Sequence, residues 1–253
     1  MTELVGETLV GETLVGEPIV GEGTAEADWA RWPGLAGLAP LDLAGAGCPL
    51  IVAPHPDDEV LGAGGLLARL GGELVAVTDG EASHPGSTVL AAGRLAGLRR
   101  AETAEALAAL GRPGTVVHHL AQPDGAVDEP LLTGQLAELL RPGRWCVATW
   151  RGDGHPDHEA VGRAAAAACA ATGARLVEYP VWAWHWSGPG DGRLPFDRAR
   201  RLDLDDATQA AKRIAIDCFT TQVRPLGPDP ADAAVLPPTV LARFTRPFEV
   251  YLT

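Results

Sequence analysis

The chain has a single lysine, Lys212, and no two cysteines spaced as a CxxC pair. All its other basic residues are arginine, and with abundant Ala and Gly this reads as codon usage more than chemistry. Cations are scarce in total: 20 Lys and Arg face 33 Asp and Glu, a net charge of −13. That shortage excludes a general nucleic-acid partner, because nothing would neutralise a phosphate backbone. No apolar run approaches the ~20 residues of a membrane-crossing helix. The N-terminus also lacks the basic stretch and apolar core of a secretory signal. A cytoplasmic protein with no membrane partner is expected. Its four cysteines, Cys48, Cys146, Cys169 and Cys218, are then expected to be free, buried thiols.

What is present is the composition of a soluble enzyme: 46% hydrophobic and 21% charged residues over 253 positions, enough for one sizeable core. Residues 3–22 repeat a five-residue unit, ELVGE, TLVGE, TLVGE, PIVGE. A period of five fits neither a helix nor a strand, so residues 1–27 are expected to be a low-complexity, disordered tail before a single domain over 28–253. The domain alternates apolar strand-like runs at 49–53, 73–78, 115–120, 145–150 and 175–179 with helix-like stretches at 59–70, 89–110, 131–140 and 159–172. This rhythm predicts an α/β fold, a Rossmann-like mainly parallel sheet with helices on both faces. Further on, a strand is expected at 200–204, a helix at 207–219, a loop at 225–238 and a last strand at 248–252.

Ligands bind such sheets beyond the carboxyl ends of the strands. Four polar clusters fall there: 55–59, 79–81, 122–125 and 153–158. The first, Ala53-Pro54-His55-Pro56-Asp57-Asp58-Glu59, puts His55 and Asp58 in a tight turn entering a helix, where both can face one ion. Asp57 should project differently, towards water. Alone, the two acids would more often cap the helix. The second cluster, His155-Pro156-Asp157-His158, offers His158 as a third ligand, with His155 facing the substrate side. Three ligands from His and Asp plus an open position is the donor set of a catalytic zinc site. Asp157 either orients one of the histidines or is a plain turn acid.

Together the APHPDDE and HPDH runs resemble the signatures of the LmbE/PIG-L family of zinc-dependent deacetylases. Leu98-Arg99-Arg100-Ala101-Glu102, Leu110-Gly111 and Pro123-Asp124-Gly125 fall where that family has corresponding elements, so the resemblance spans roughly residues 48–180. It implies a Rossmann-like fold and removal of an acetyl group from an N-acetylglucosamine-type amino sugar or glycoconjugate. It implies zinc held by His55, Asp58 and His158, Asp57 as general base, and a protonated His155 assisting the oxyanion or the leaving amine. Fe2+ is an alternative occupant of such a site. Asp124 is implied at the sugar-binding face, and Glu81 at the pocket border with Asp79 nearby. Arg99 contacts substrate or anchors Glu102. Where some sugar-deacetylating members carry a tyrosine before the second motif, this chain has Asp153.

His84 could reach the pocket mouth. Trp182, Trp184 and Trp186 would share one face of an extended segment and could stack on a sugar ring, Trp184 among them. Their alternative is a packed aromatic patch or a subunit interface, which would make the chain a homo-oligomer. His118 and His119 read as structural. Thr221-Gln222 resembles a late Ser/Thr-Gln element of the family. The rival activities are an amidase for a thiol–sugar conjugate or a secondary-metabolite glycoside, and a carbohydrate- or metal-binding module without catalysis. A metal-dependent phosphoesterase is disfavoured, because ligands for only one ion are visible and no cationic phosphate clamp is evident.

Overall fold

The computed structural model describes residues 21–253. The tail expected over 1–27, with its repeat, lies for the most part outside the described residues. Its last positions are docked on the domain: Arg243 Nη2 donates to Glu22 O at 2.5 Å, Thr24 Oγ1 to Ser187 O at 2.5 Å, and Arg246 Nε to Glu26 Oε1 at 2.8 Å. The packed unit therefore begins earlier than residue 28.

The chain runs α1 (Glu26–Arg31), α2 (Pro33–Ala36), β1 (Ala39–Pro40), β2 (Leu50–Ala53), α3 (Asp58–Leu70), β3 (Glu73–Thr78), α4 (Ala92–Ala109), β4 (Val116–Gln122) and α5 (Glu129–Leu139). It continues through β5 (Trp145–Thr149), α6 (Pro156–Thr172), β6 (Arg175–Tyr179), α7 (Ala183–Trp186), β7 (Ala199–Asp203), α8 (Asp206–Asp217), α9 (Thr220–Val223), α10 (Pro238–Leu241) and β8 (Phe248–Leu252). Local chemistry sets the boundaries. Asp128 and Asp205 accept hydrogen bonds from Leu131 N and Thr208 N and so start α5 and α8. Pro156 opens α6, and Gly173, at φ 73°, closes it in the left-handed conformation.

The strands form one sheet in the order β1-β7-β8-β6-β5-β2-β3-β4. All pairs are parallel except the two made by β8. Strand alternation divides the core in two. Leu50 and Val52 join Val75, Val77, Leu132, Leu136 and Val161 on one face. Ile51 and Ala53 join Val60, Leu66, Leu67 and Leu107 on the other. Helices thus cover both faces of a mainly parallel sheet, as expected. Strand β2 sends its crossover to β3 on one side and has β5 on the other. The chain therefore reverses direction at β2, and the loops after β2 and β5 diverge around a crevice.

Some expectations change. Cys48 is exposed and Cys218 partly so, while Cys146 and Cys169 are buried; all four are free. The 225–238 loop contains a 3-10 turn, Pro230–Asp232. The tryptophan-rich segment is one helical turn and not an extended strand, because Asp153 gathers its amides: Val181 N and Ala183 N donate to Oδ1, and Trp182 N to Oδ2. Among the described residues no helix is long and apolar enough to cross a membrane.

Candidate metal centre and active-site cleft

The two histidine–aspartate clusters stand at the N-termini of α3 and α6, directly beyond β2 and β5, so the switch in strand order brings them together. His55, Asp58 and His158 place one donor atom each within 4.8 Å of the others. His55 Nδ1 and His158 Nε2 both lie 3.2 Å from Asp58 Oδ2. Donors about 2.0–2.2 Å from a tetrahedral ion stand roughly 3.3–3.5 Å from one another, close to this spacing. His158 Nε2 is buried and has no hydrogen-bond partner among the described residues, although Asp58 is near. A buried nitrogen left open beside a carboxylate and a second imidazole fits a divalent cation.

The outer nitrogens are held by carboxylates, as those of ligating histidines usually are. His158 Nδ1 donates to Asp153 Oδ2 at 2.8 Å, and His55 Nε2 to Asp157 Oδ2 at 3.1 Å. Asp124 Oδ1 is a further 3.3 Å neighbour of His55 Nε2. Asp153, at the position of the absent tyrosine, is thus a fully buried support for His158. Neither tyrosine substitutes for the missing one: Tyr179 Oη donates to Val52 O and Tyr251 Oη to Glu249 Oε2.

Asp57 stands apart from the donor set. Its carboxylate accepts from Arg99 Nη2 at 2.9 Å, and Arg99 also donates to Pro56 O and Gly80 O. Asp57 N donates to Glu59 Oε2 at 2.9 Å. The backbone of Asp57 is held at φ 138°, ψ −33°. Such conformations cost on the order of 1–3 kcal/mol for a residue with a Cβ and collect at functional sites.

Electrostatics separate the neighbouring groups. Burial pushes Asp57 up to about 7 against the pull of Arg99. Burial would also raise Asp58, but His158 and His55 outweigh it and hold that carboxyl far below its ordinary range. Burial opposes the charge on His158, yet Asp58 and Asp153 carry it up to about 9. His55 is likewise raised, by Asp124, Asp157 and Asp58 against its burial. His155 is pushed down to about 3 by burial and by the adjacent His158 and His55.

The cleft above these groups is walled by Leu61, Pro85, Val181, Trp182, Val235 and Leu236, with Ala82, Ser83, Asp124, Gly125 and Gln222 completing it. His55, Asp57, Asp58, Arg99, His155 and His158 also line it. Buried atoms without a partner among the described residues concentrate here: His155 Nδ1, Arg99 Nε and Gln222 Oε1 join His158 Nε2. Glu81 does not line the cleft; it accepts from Asp124 N at 3.1 Å while Ala82 N donates to Asp124 Oδ2, tying two loops together. His84 is also off the cleft wall, its Nδ1 3.0 Å from Ser83 Oγ.

Trp184 belongs to the core and not to the site. It is 4% exposed and packs edge-on to Trp29 at 5.1 Å between ring centroids, with Arg246 over its face. The helical turn rotates it inward and leaves Trp182 on the cleft. Glu102 bonds Thr220 and Thr221 rather than Arg99, which presents Gln222 beside Ser83. Gln222, Val235 and Leu236 come from a region where sequence reasoning assigned no function; the Thr-Gln pair was its one signal.

Residues 50–169 match the sequence profile of the family described as PIG-L: GlcNAc-PI de-N-acetylase. No curated protein sequence matches the chain significantly. Three solved structures share the fold. The N,N'-diacetylchitobiose deacetylase from Pyrococcus horikoshii is 22% identical, with a TM-score of 0.54 and 70% of each chain covered. The A40926 pseudoaglycone deacetylase is 23% identical, with a TM-score of 0.52 over 70% of this chain and 83% of the other. The 4-carboxy-2-hydroxymuconate hydratase from Pseudomonas putida KT2440 is 21% identical, with a TM-score of 0.51 over 70% of this chain and 80% of that one. The same fold thus carries more than one reaction, and the site must identify this one.

Proposed function

We propose that this chain, whose residues 50–169 match the PIG-L profile, is a deacetylase of that kind: a zinc-dependent hydrolase removing the N-acetyl group from an N-acetylglucosamine-type amino sugar or glycoconjugate. The observation that carries this reading is Asp57: a buried carboxylate beside the donor cluster, held by Arg99 and left out of the ligand set. A site built only to bind a metal has no use for it.

His55, Asp58 and His158 would hold the ion. Bound there, zinc supplies Lewis acidity towards the acyl oxygen and lowers the pKa of a water to about 7. Asp57, with its carboxyl lifted to about 7, is a base matched to neutral pH. It takes a proton from the attacking water as the new C–O bond forms. It returns that proton to nitrogen as the C–N bond breaks, releasing acetate and a free amine. His155 donates an N–H to the oxygen of the tetrahedral carbon. Arg99 orients Asp57, while Asp153 and Asp157 fix the tautomers of the two ligating histidines.

The apolar wall formed by Leu61, Val181, Trp182, Val235 and Leu236 favours a conjugate bearing an apolar substituent over a free monosaccharide. An acetate-release screen over N-acetylated sugars, thiol–sugar conjugates and secondary-metabolite glycosides, with a chelated control, tests both levels. Release abolished by the chelator and restored by Zn2+ supports the reading. No release from any substrate by the zinc-loaded protein would return the chain to the class of binding modules.

A further inference from the structure

Helix α3, which carries Asp58 at its first position, is not continuous. Ala63 has φ −137° and ψ 15°, which divides the helix into one turn from Asp58 and a second segment ending at Leu70. The break falls in Gly62-Ala63-Gly64-Gly65, where the neighbours come close. A Cβ on Gly62 would lie 2.0 Å from the Tyr179 ring, and one on Gly65 would lie 2.3 Å from Leu204.

Each break in a helix leaves carbonyls on one side and amides on the other without partners. Here a buried ion pair meets both. Lys212 Nζ, from α8, donates to Leu61 O at 2.9 Å on the carbonyl side. Glu249, from β8, accepts from Gly65 N at 2.6 Å and Leu66 N at 3.0 Å on the amide side. The two charges pair at 2.6 Å, and Tyr251 Oη donates to Glu249 Oε2. The signs agree with the helix dipole, cation at a C-terminal end and anion at an N-terminal one. Lys212 is 2% exposed and Glu249 4%. A buried ion pair is a poor source of net stability, since desolvation offsets its attraction. In a chain whose other basic residues are all arginine, the one lysine stands where a compact point charge meets a carbonyl and a carboxylate. The path from it to the site is short, because Leu61 N in turn donates to Asp57 O at 2.9 Å.

We propose that Lys212 and Glu249 are positioning residues for the metal centre: their ion pair splices the break in α3 and fixes the single turn that presents Asp57 and Asp58. The role presupposes the metal centre proposed above.

Lys212→Met keeps the methylene stem and removes the charge. Two readouts on the full chain test it: Zn2+ affinity in competition with a chromophoric chelator, and amide hydrogen exchange of the metal-free protein. The expected result is Zn2+ binding weaker by about tenfold or more, with protection lost selectively over residues 57–62. A lower melting temperature with unchanged Zn2+ affinity and an even loss of protection overturns the proposal, because the pair is then structural only. If Lys212→Met does not fold, Glu249→Gln decides by the same two readouts. A parent chain that takes up no Zn2+ refutes the metal centre itself, and exchange over 57–62 in the variants then decides the role of the pair alone.

Discussion

Asp57 and Asp58 are adjacent carboxylates at one helix start, and their surroundings drive them in opposite directions. Asp58 lies between two imidazoles that hold it ionised, whereas Asp57 is buried with a single guanidinium and rises to about 7. Asn at position 57 should leave Zn2+ stoichiometry unchanged and cut kcat by about 10²–10⁴-fold, the usual contribution of a general base. Asn at 58 should instead lose the metal. Elemental analysis beside turnover separates them, and full activity in Asp57→Asn would sink the base assignment. The residue behind a ligand matters as well. Asp153→Asn should weaken Zn2+ binding about 10–100-fold in a folded protein, read by chelator competition; an unaltered affinity would mean His158 needs no such support. The division between Asp57 and Asp58 was legible in the sequence, because a turn entering a helix sends positions 55 and 58 to one side. The hold of Arg99 on Asp57 was not, since a contact across some forty residues of chain leaves no local pattern.

Among the elements, α7 separates pattern from packing. Alternation in Trp182-Ala183-Trp184-His185-Trp186 suits a strand, and only the distant carboxylate of Asp153, accepting from three consecutive amides, turns it into a helix. That turn sends Trp184 into the core and Trp182 to the cleft. Trp184→Phe should therefore lower the melting temperature and leave KM unchanged. Trp182→Ala should raise KM with little thermal effect. Thermal melts run beside steady-state kinetics distinguish the two, and the reverse pattern would restore Trp184 to the substrate. The strands β3, β6 and β8 match the expected ranges residue for residue, because continuous β-branched and apolar runs bounded by Gly, Pro or charge have few alternatives. The break in α3 carried a sequence signal, three glycines in four residues, whose meaning emerges only with Lys212 and Glu249 in place.

For the whole molecule, the site holds groups shifted in both directions. Asp58, Asp124 and Asp157 are lowered and act only at acid pH. His155, pushed down to about 3 by burial, contributes stability that grows as pH rises to its unfolded value of 6.5. Asp57 is raised from 3.8 to about 7, Glu59 from 4.5 to about 8 and His158 from 6.5 to about 9, with His55 also raised. Each raised group contributes stability that is complete below its unfolded pKa and is lost as pH rises through its folded one. Above pH 6.5, where His155 no longer offsets the raised groups, the metal-stripped protein should therefore lose melting temperature steadily up to about pH 9. Zn2+ should oppose that trend, because its ligands must shed protons to bind. Calorimetry of the stripped and loaded chain checks both slopes, and a stripped protein that gains stability across this window would contradict the burial of these groups. The sequence by itself determined the α/β alternation, the clusters at strand ends and the chemical types of the candidate metal donors, since these depend on residue identity and short-range spacing. Tertiary structure alone decided the rest: the switch at β2 that joins two loops about a hundred residues apart, the partners of each imidazole, the packing of His155 against the other two histidines and the apolar wall contributed largely by residues after 180. Those properties arise from desolvation and from contacts between distant segments, and neither exists until the chain has closed around the site.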